Sequence, residues 1–255
     1  MADENTRKLI SWFSSVPSRE KQTFVLKSRH PHTGSFLLES KEFGSWIRGS
    51  ERILWCIGAP GTGKTVLASA VISTLETEVA SPEVGTAYLY CTHAERDKQN
   101  IEEMIGSLIQ QLLRQRPVPK DTLKLYSSHE DFNTRPSLAE LSAQLELLTS
   151  MFSAVYIVVD ALDECPESNN TRRSLIAQLR KLNPQVRLLF TSRPLGIIED
   201  LKDAARFPIV SPEEDMRKYI STQIHQEHRL LALCQKHTDL EAEILDKIIA
   251  KADGM

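Results

Sequence analysis

A glycine-rich segment of the chain has the pattern GxxxxGK[ST] of a phosphate-binding loop. It follows the apolar run Ile53–Ile57 and precedes a segment with helical spacing of apolar residues. Its residues are Gly58, Ala59, Pro60, Gly61, Thr62, Gly63, Lys64 and Thr65. Glycines let the backbone curl so that several N–H groups point inward, and the following helix adds its positive end. We therefore expect Lys64 to reach the β- and γ-phosphates of a nucleotide, and the Thr65 hydroxyl to ligate Mg²⁺. A Gly-Pro turn with a solvent-facing lysine is the alternative.

Acidic residues follow a second apolar run, Val155–Val159. Asp160 closes that run, at the strand end where parallel sheets place ligand-binding groups. We expect its carboxylate to hold Mg²⁺ through water. Asp163 and Glu164 come next, and one of them is a candidate to orient or deprotonate an attacking water. A turn at Asp160 and a solvated acidic pair at Asp163 and Glu164 are the alternatives.

Basic residues follow two other strand candidates. Arg193 lies just after the run Val186–Thr191. We expect it to sense a γ-phosphate through a charge-assisted contact, with an ordinary surface ion pair as the alternative. His93 follows the strand candidate 84–91, and we interpret this histidine as structural.

Predicted strands and predicted helices alternate along the chain that contains these motifs. Short β-rich runs at 53–57, 84–91, 155–159, 186–191 and 207–210 are separated by helical patterns, which predicts βαβ units and a parallel sheet. Residues 121–136 are polar and predict a loop or a frayed helix. Beyond Ser211, which can cap a helix, and Pro212, which suits a first helical position, only helical patterns follow. We expect an N-terminal helical or linker segment (1–50), a nucleotide-binding domain (51–210) and a small helical subdomain (211–255). The predicted fold class is an α/β P-loop NTPase with a parallel sheet flanked by helices.

Composition limits the partners. The 255 residues include 31 Lys and Arg against 34 Asp and Glu, for a formal net charge of −3. A chain this balanced has no overall field that draws it onto nucleic acid or an anionic membrane. No apolar run approaches the ~20 residues of a membrane span, and no leader-like segment opens the chain. The four cysteines show no CxxC spacing, so we expect reduced thiols and a cytoplasmic protein.

Five stretches together resemble the NACHT branch of the STAND nucleotide-binding proteins. The similarity is strongest to fungal, NLR-like members that share a nephrocystin-3-like N-terminal region and often carry ankyrin or WD repeats further on. The stretches are Thr33–Glu39 with Phe43 and Trp46, Leu54–Thr65, Ala87–Cys91, Val158–Cys165 and Leu189–Pro194. The chain departs from related families at Ala161, where AAA+ motors usually have glutamate, and at Ser35, where fungal relatives often have a second glycine.

The resemblance implies a five-stranded parallel sheet with a helical extension over 211–255. It also implies that Asp160 is the Walker B acid, that Asp163 and Glu164 are the downstream acids, and that Arg193 is the sensor-1 arginine. The implied ligands are Mg²⁺ and ATP or ADP, with GTP or GDP left open. In such proteins the diphosphate holds a closed form, and exchange for triphosphate releases a self-associating form. Gly254 and Met255 resemble the start of a base-contacting segment.

The function that we expect is a regulatory nucleotide switch with weak hydrolysis, in signalling of the innate-immunity or heterokaryon-incompatibility type. Moving a two-state protein from 1:99 to 99:1 takes about 5.5 kcal/mol, whereas one charge-assisted hydrogen bond contributes roughly 1.5–3 kcal/mol. Arg193 alone is therefore insufficient. The alternatives are a scaffold with a vestigial phosphate loop and a phosphotransferase, for which Arg172 and Arg173 make a poor lid. A DNA-acting motor is disfavoured by the charge balance.

Overall fold

Five parallel strands form a sheet in the described part of the chain, in the order β2-β3-β4-β1-β5. The computed structural model describes residues 4–29, 34–93, 99–166, 170–194, 199–210 and 212–252. The strands are β1 (Ile53–Ile57), β2 (Val84–Tyr90), β3 (Ala154–Asp160), β4 (Val186–Ser192) and β5 (Ala205–Pro208). The predicted fold class is confirmed. The last strand lies two residues before the predicted 207–210, because Leu54 to Ile57 of β1 pair with residues 205–208.

Helices flank the sheet and extend beyond it. They are α1 (Glu4–Trp12), α2 (Ser18–Ser28), α3 (Ser35–Leu38), α4 (Lys41–Arg48), α5 (Lys64–Thr77), α6 (Ile101–Leu113), α7 (Lys120–Glu130), α8 (Leu138–Ser150), α9 (Thr171–Lys181), α10 (Glu213–Gln226), α11 (His228–Lys236) and α12 (Leu240–Ala252). The sequence predicts Pro212 as the first helical residue of α10, but the structure makes it the N-cap, and the helix begins at Glu213. Ser211, Gly254 and Met255 lie outside the described residues.

The sheet is buried on both faces, as its apolar strands require. Side chains alternate along β3: Val155, Ile157 and Val159 enter one hydrophobic core, whereas Tyr156 and Val158 enter the other. The first core lies against α1, α6, α8 and α9, and the second against α4 and α5. This packing fixes the carboxyl ends of the strands at one edge of a rigid layer.

Helix α7 corrects the prediction of a loop or frayed helix over 121–130, whereas residues 131–136 form a turn and loop. Its few apolar residues give a weak helical pattern, and contacts from elsewhere in the chain supply the stabilisation. Gln144 donates to the buried Thr122 hydroxyl at 2.8 Å. The ring of Trp12 packs edge-on against Tyr126, with centroids 5.2 Å apart.

Helix α2 has no counterpart in the sequence analysis. Its sequence is mostly polar, and two of its polar side chains make specific contacts in the interior. Gln22 donates to the main-chain oxygen of Ser69 at 3.0 Å and accepts from the Tyr90 hydroxyl. The hydroxyls of Ser18 and Ser107 lie 2.9 Å apart. A buried polar network therefore holds α2 against α5, α6 and β2.

Helices α10, α11 and α12 pack mainly against one another. A hydrogen bond joins α10 to the N-terminal region: the main-chain N–H of Gly34 donates to the Asp215 carboxylate at 3.0 Å. None of the helices in the described ranges is both long enough and apolar enough for a bilayer span.

Glutamine side chains cover the outer edge of β2. The amide of Gln115 accepts from Thr86 N at 3.0 Å and donates to Thr86 O at 2.6 Å. Gln111 does the same at Tyr88, at 3.0 and 2.9 Å. Gln99 bonds the main chain at the end of the strand in the same way. These amides occupy the groups that another strand would pair with, so the edge is closed to strand addition.

Replacing Gln111 and Gln115 together by leucine should open this edge. Two peptide N–H and two C=O groups would lose their partners, at a cost of about 1–3 kcal/mol for each buried group left unsatisfied. We expect a lower midpoint of thermal unfolding and concentration-dependent self-association, measured by calorimetry and analytical ultracentrifugation. Gln226→Leu, at an exposed position of α10, is the matched control. A double variant that stays monomeric and melts like the wild type contradicts this role.

Candidate functional site

The glycine-rich loop joins β1 to α5 and curls tightly. Gly61 and Gly63 have φ of +85° and +78°, in the left-handed region that favours glycine. At Gly58, an added Cβ would lie 2.5 Å from the Thr62 hydroxyl and 3.0 Å from Cβ of Ile209. Gly63 is the N-cap of α5, so the positive end of that helix faces the loop. These properties give the concave, amide-lined turn that phosphate binding requires.

The Lys64 side chain folds back over this loop. Its ammonium group donates to the main-chain oxygens of Gly58 at 2.9 Å and Ala59 at 2.6 Å. Partial burial lowers the pKa of Lys64, and the nearby negative charge of Asp163 opposes that change. A phosphate would offer Lys64 charged oxygens in place of neutral carbonyls, and such charge-assisted bonds are about twice as strong.

Asp160 ends β3 with its side chain in the interior, only 2% exposed. Burial raises its pKa to about 6, although hydrogen bonds from the Thr191 and Thr65 hydroxyls act in the opposite direction. The Thr191 hydroxyl lies 2.6 Å from Oδ1 of Asp160. The structure therefore brings together Thr65 and Asp160, the two predicted metal ligands.

The donor set at this point fits Mg²⁺. The cation prefers hard oxygen ligands, and a hydroxyl and a carboxylate meet here. Burial destabilises the charged form of Asp160, and a divalent cation beside it would relieve that cost. Thr65 and Asp160 would hold the ion, and the negative charge of Asp160 also acts on Lys64.

Thr191 is a site residue to which the sequence analysis gives no role. It is 99% buried in β4, where its hydroxyl donates to Asp160 and accepts from the main-chain N–H of Ala161 at 2.9 Å. The signal that points to it is a polar residue in an apolar strand, beside the strand that Asp160 ends. Thr191 fixes the orientation of the Asp160 carboxylate.

Ala161 turns the chain after β3. Its φ of +55° lies in the left-handed region, which is rare for a residue other than glycine. The hydrogen bond from its N–H to Thr191 helps to hold this conformation. The turn leads into a 3-10 helix, Leu162–Glu164, and returns Asp163 and Glu164 to the edge of the sheet.

Arg193 is paired with both downstream acids. Its Nε lies 3.1 Å from Oδ2 of Asp163, and its main-chain N–H donates to Oδ1 of the same carboxylate at 3.0 Å. Its Nη2 lies 3.9 Å from Glu164. The Asp163 side chain is 8% exposed and that of Arg193 is 49% exposed. The structure thus shows an ion pair at Arg193, one of the two alternatives that the sequence leaves open.

His93 enters the site through its main chain. Its N–H donates to the Glu164 carboxylate at 3.2 Å, while the residue itself is exposed. The charges of Asp160, Asp163, Glu164 and Arg193 all act on the ammonium group of Lys64. The predicted residues therefore converge on one edge of the sheet, at the ends of β1, β3 and β4.

Comparison with known proteins places the chain in a family. Residues 32–193, more than half of the chain, match the family model described as Nephrocystin 3, N-terminal. The chain belongs to this family. The resemblance inferred from the five stretches is confirmed. The vegetative incompatibility protein HET-E-1 of Podospora anserina is 24% identical over 230 residues. That similarity covers 86% of this chain and 17% of HET-E-1, so the chain corresponds to a small part of that relative.

Two solved structures show similarity to this chain at low sequence identity. The Aeropyrum pernix ORC1 protein, in complex with DNA, has a TM-score of 0.47 and 16% identity, covering 86% of this chain and 53% of that one. Domain III of the Thermotoga maritima replication initiation protein DnaA has a TM-score of 0.41 and 12% identity, covering 78% and 76%.

Replacing Asp160 by asparagine should stabilise the protein in the absence of metal and nucleotide. The folded-state pKa of about 6 lies above the ordinary aspartate value, so the charged carboxylate costs stability as the pH rises between the two values. At pH 7.5 we expect the free energy of unfolding to rise by roughly 1–3 kcal/mol, with the gain shrinking towards pH 4.5. Urea unfolding across this range measures it. A loss of stability that is equal at every pH contradicts the assignment.

Proposed function

We propose that this chain is the nucleotide-binding module of a regulatory switch, which binds ATP or GTP together with Mg²⁺. One observation carries the proposal: the Thr65 hydroxyl meets the buried Asp160 carboxylate beside the curled loop and Lys64. Membership of the nephrocystin 3 N-terminal family supports it.

Each group has a distinct part in binding. The amides of residues 58–65 and the start of α5 bind the phosphates of the nucleotide, and Lys64 exchanges its carbonyl partners for phosphate oxygens. Thr65 would ligate the cation directly, and Asp160 would hold it through water. When bound, Mg²⁺ neutralises charge on the β- and γ-phosphates. Thr191 keeps Asp160 oriented towards Thr65.

Slow hydrolysis forms part of the proposal. A general base must be oriented towards its water and within hydrogen-bond reach of it. Asp163 uses both carboxylate oxygens on Arg193, and Glu164 accepts from the main chain of His93. Until Arg193 leaves these acids, neither is well placed to activate water. This arrangement favours a protein that holds its nucleotide over one that turns it over rapidly.

Switching then requires Arg193 to exchange partners. The γ-phosphate of a triphosphate is a new anionic partner for Arg193. If Arg193 moves to it, Asp163 and Glu164 are freed. A single charge-assisted bond contributes roughly 1.5–3 kcal/mol, less than the about 5.5 kcal/mol of a complete switch. We infer that self-association within a longer chain, of the type that carries ankyrin or WD repeats, contributes the remainder. In this proposal the protein is cytoplasmic, and the net charge of −3 favours no nucleic-acid or membrane partner.

The second candidate is a scaffold with a vestigial phosphate loop. The charged groups of the site have partners within the protein itself: Lys64 bonds to two carbonyls and Arg193 to two acids. Such a site is stable as it stands and does not require a nucleotide to fold.

Lys64→Ala separates the two candidates. At ~100 times the dissociation constant, a nucleotide adds about 2.7 kcal/mol of stability, which raises the unfolding midpoint by roughly 5–10 °C for a chain of this size. We expect wild type to show this shift with Mg²⁺ and a nucleoside di- or triphosphate, and Lys64→Ala to lose it. Lys124→Ala, at an exposed position of α7, is the matched control. Equal shifts in wild type and Lys64→Ala, or no shift in either, favour the scaffold.

Asp163→Asn tests the exchange of partners by Arg193. Removing the negative charge weakens the ion pair and leaves the guanidinium available to the γ-phosphate. We expect the affinity for triphosphate, relative to diphosphate, to rise about tenfold. Adding Arg193→Ala should cancel that gain. Isothermal titration of both nucleotides into the single and double variants provides the ratios, and a gain that survives the loss of Arg193 excludes the exchange.

A further inference from the structure

Two cysteines lie next to each other at the edge of the candidate site. Cys91 directly follows β2, and Cys165 directly follows the 3-10 helix Leu162–Glu164. The neighbouring strands β2 and β3 bring them together, since Tyr90 is opposite Asp160 and Cys91 N donates to Asp160 O at 3.1 Å. Nothing in the proposed binding of nucleotide uses either thiol.

Their side chains are in direct contact. The Cys91 thiol donates a hydrogen bond to the sulfur of Cys165. Both residues belong to the first hydrophobic core, with 5% and 0% of their surface exposed. The two remaining cysteines lie on other elements, Cys56 in β1 and Cys234 in α11. Contact between two thiols meets the first geometric requirement of a disulfide, which needs the sulfurs close together.

Neighbouring groups favour reaction at Cys165. The hydrogen bond from Cys91, followed by the positive charge of Arg172, lowers the pKa of the Cys165 thiol despite its burial. The thiolate is the form that attacks an oxidant. In contrast, burial raises the pKa of Cys56, so less of that thiol is in the reactive thiolate form.

We propose that Cys91 and Cys165 form an oxidisable dithiol, a modification site for hydrogen peroxide, and that the resulting disulfide fixes the acidic turn at 162–164 to the end of β2.

The reaction needs peroxide and no other reagent. The Cys165 sulfur attacks one peroxide oxygen, the O–O bond breaks, and a sulfenic acid and one water form. The Cys91 sulfur then attacks the sulfenic sulfur, the S–O bond breaks, and the disulfide forms with release of a second water. Two thiols are oxidised by two electrons in total, and one peroxide is reduced to two waters.

The disulfide should also affect the candidate nucleotide site, an inference that rests on the proposed function. The turn that would be fixed carries Asp163 and Glu164, which bind Arg193. On the other side, Glu164 already accepts from the main chain of His93, two residues after Cys91. A covalent bond between these two segments restricts the movement that would free Arg193 for a γ-phosphate. Oxidation should therefore reduce the preference for triphosphate over diphosphate.

The experiment treats the folded chain with hydrogen peroxide, blocks remaining thiols, and maps the peptides by mass spectrometry without reduction. We expect a Cys91–Cys165 disulfide with the loss of two hydrogens, and an unfolding midpoint about 5 °C or more higher. Dithiothreitol should reverse both changes. Cys91→Ser and Cys165→Ser should prevent them, and Cys234→Ser should not.

Three results would overturn the proposal: thiols that stay reduced, a single cysteine driven to sulfinic acid without the cross-link, or a cross-link that forms only in urea. Titration of nucleotides into the oxidised and reduced chain tests the consequence, where we expect the triphosphate preference to fall about fivefold on oxidation. An unchanged preference overturns that consequence alone. Because peptide mapping uses no nucleotide, failure of the proposed function and failure of the disulfide are distinguishable.

Discussion

A carboxylate removed from water is the constraint on which the rest of this site depends. Asp160 lies at the end of a fully buried strand, and its charge is costly there because the interior solvates it poorly. Hydroxyls from Thr191 and Thr65 compensate in part. The same cost makes the position suitable for a divalent cation, since the ion would stabilise the form that burial disfavours. Positively charged ligands should therefore bind favourably at this site, because they stabilise the charged form of Asp160.

The parallel sheet brings the other groups of the site to the same edge as Asp160. With all strands in one direction, the ends of β1, β3 and β4 share an edge, and loops from each carry one part: the phosphate loop, the acidic turn and Arg193. The ion pair between Arg193 and the acidic turn satisfies these charges internally. A triphosphate would compete for the arginine, and a Cys91–Cys165 disulfide would restrain the turn that holds it. Both effects act on the same short segment, residues 161–165.

Local patterns predict much of this arrangement. Apolar runs identify the strands, and the spacing of Gly58, Gly63 and Lys64 identifies the loop, because both depend on residues close together in the chain. Contacts between segments that are distant in sequence cannot be predicted from such local patterns. Helix α2 follows from buried polar contacts to Ser69 and Tyr90, and α7 from contacts to Gln144 and Trp12. The left-handed turn at Ala161 and the direction in which Arg193 points depend on Thr191 and Asp163, which lie 30 residues away.

The central claim is that Thr65 and Asp160 bind a cation jointly with the phosphates of a nucleotide. Electron paramagnetic resonance with Mn²⁺ in place of Mg²⁺ tests it most directly, because free and bound Mn²⁺ have distinct spectra. The account predicts that about one Mn²⁺ binds per chain in the presence of a nucleoside diphosphate and that Asp160→Ala abolishes this binding. Asp239→Ala, at an exposed position between α11 and α12, should leave it unchanged. Mn²⁺ binding that is unchanged by Asp160→Ala would contradict it.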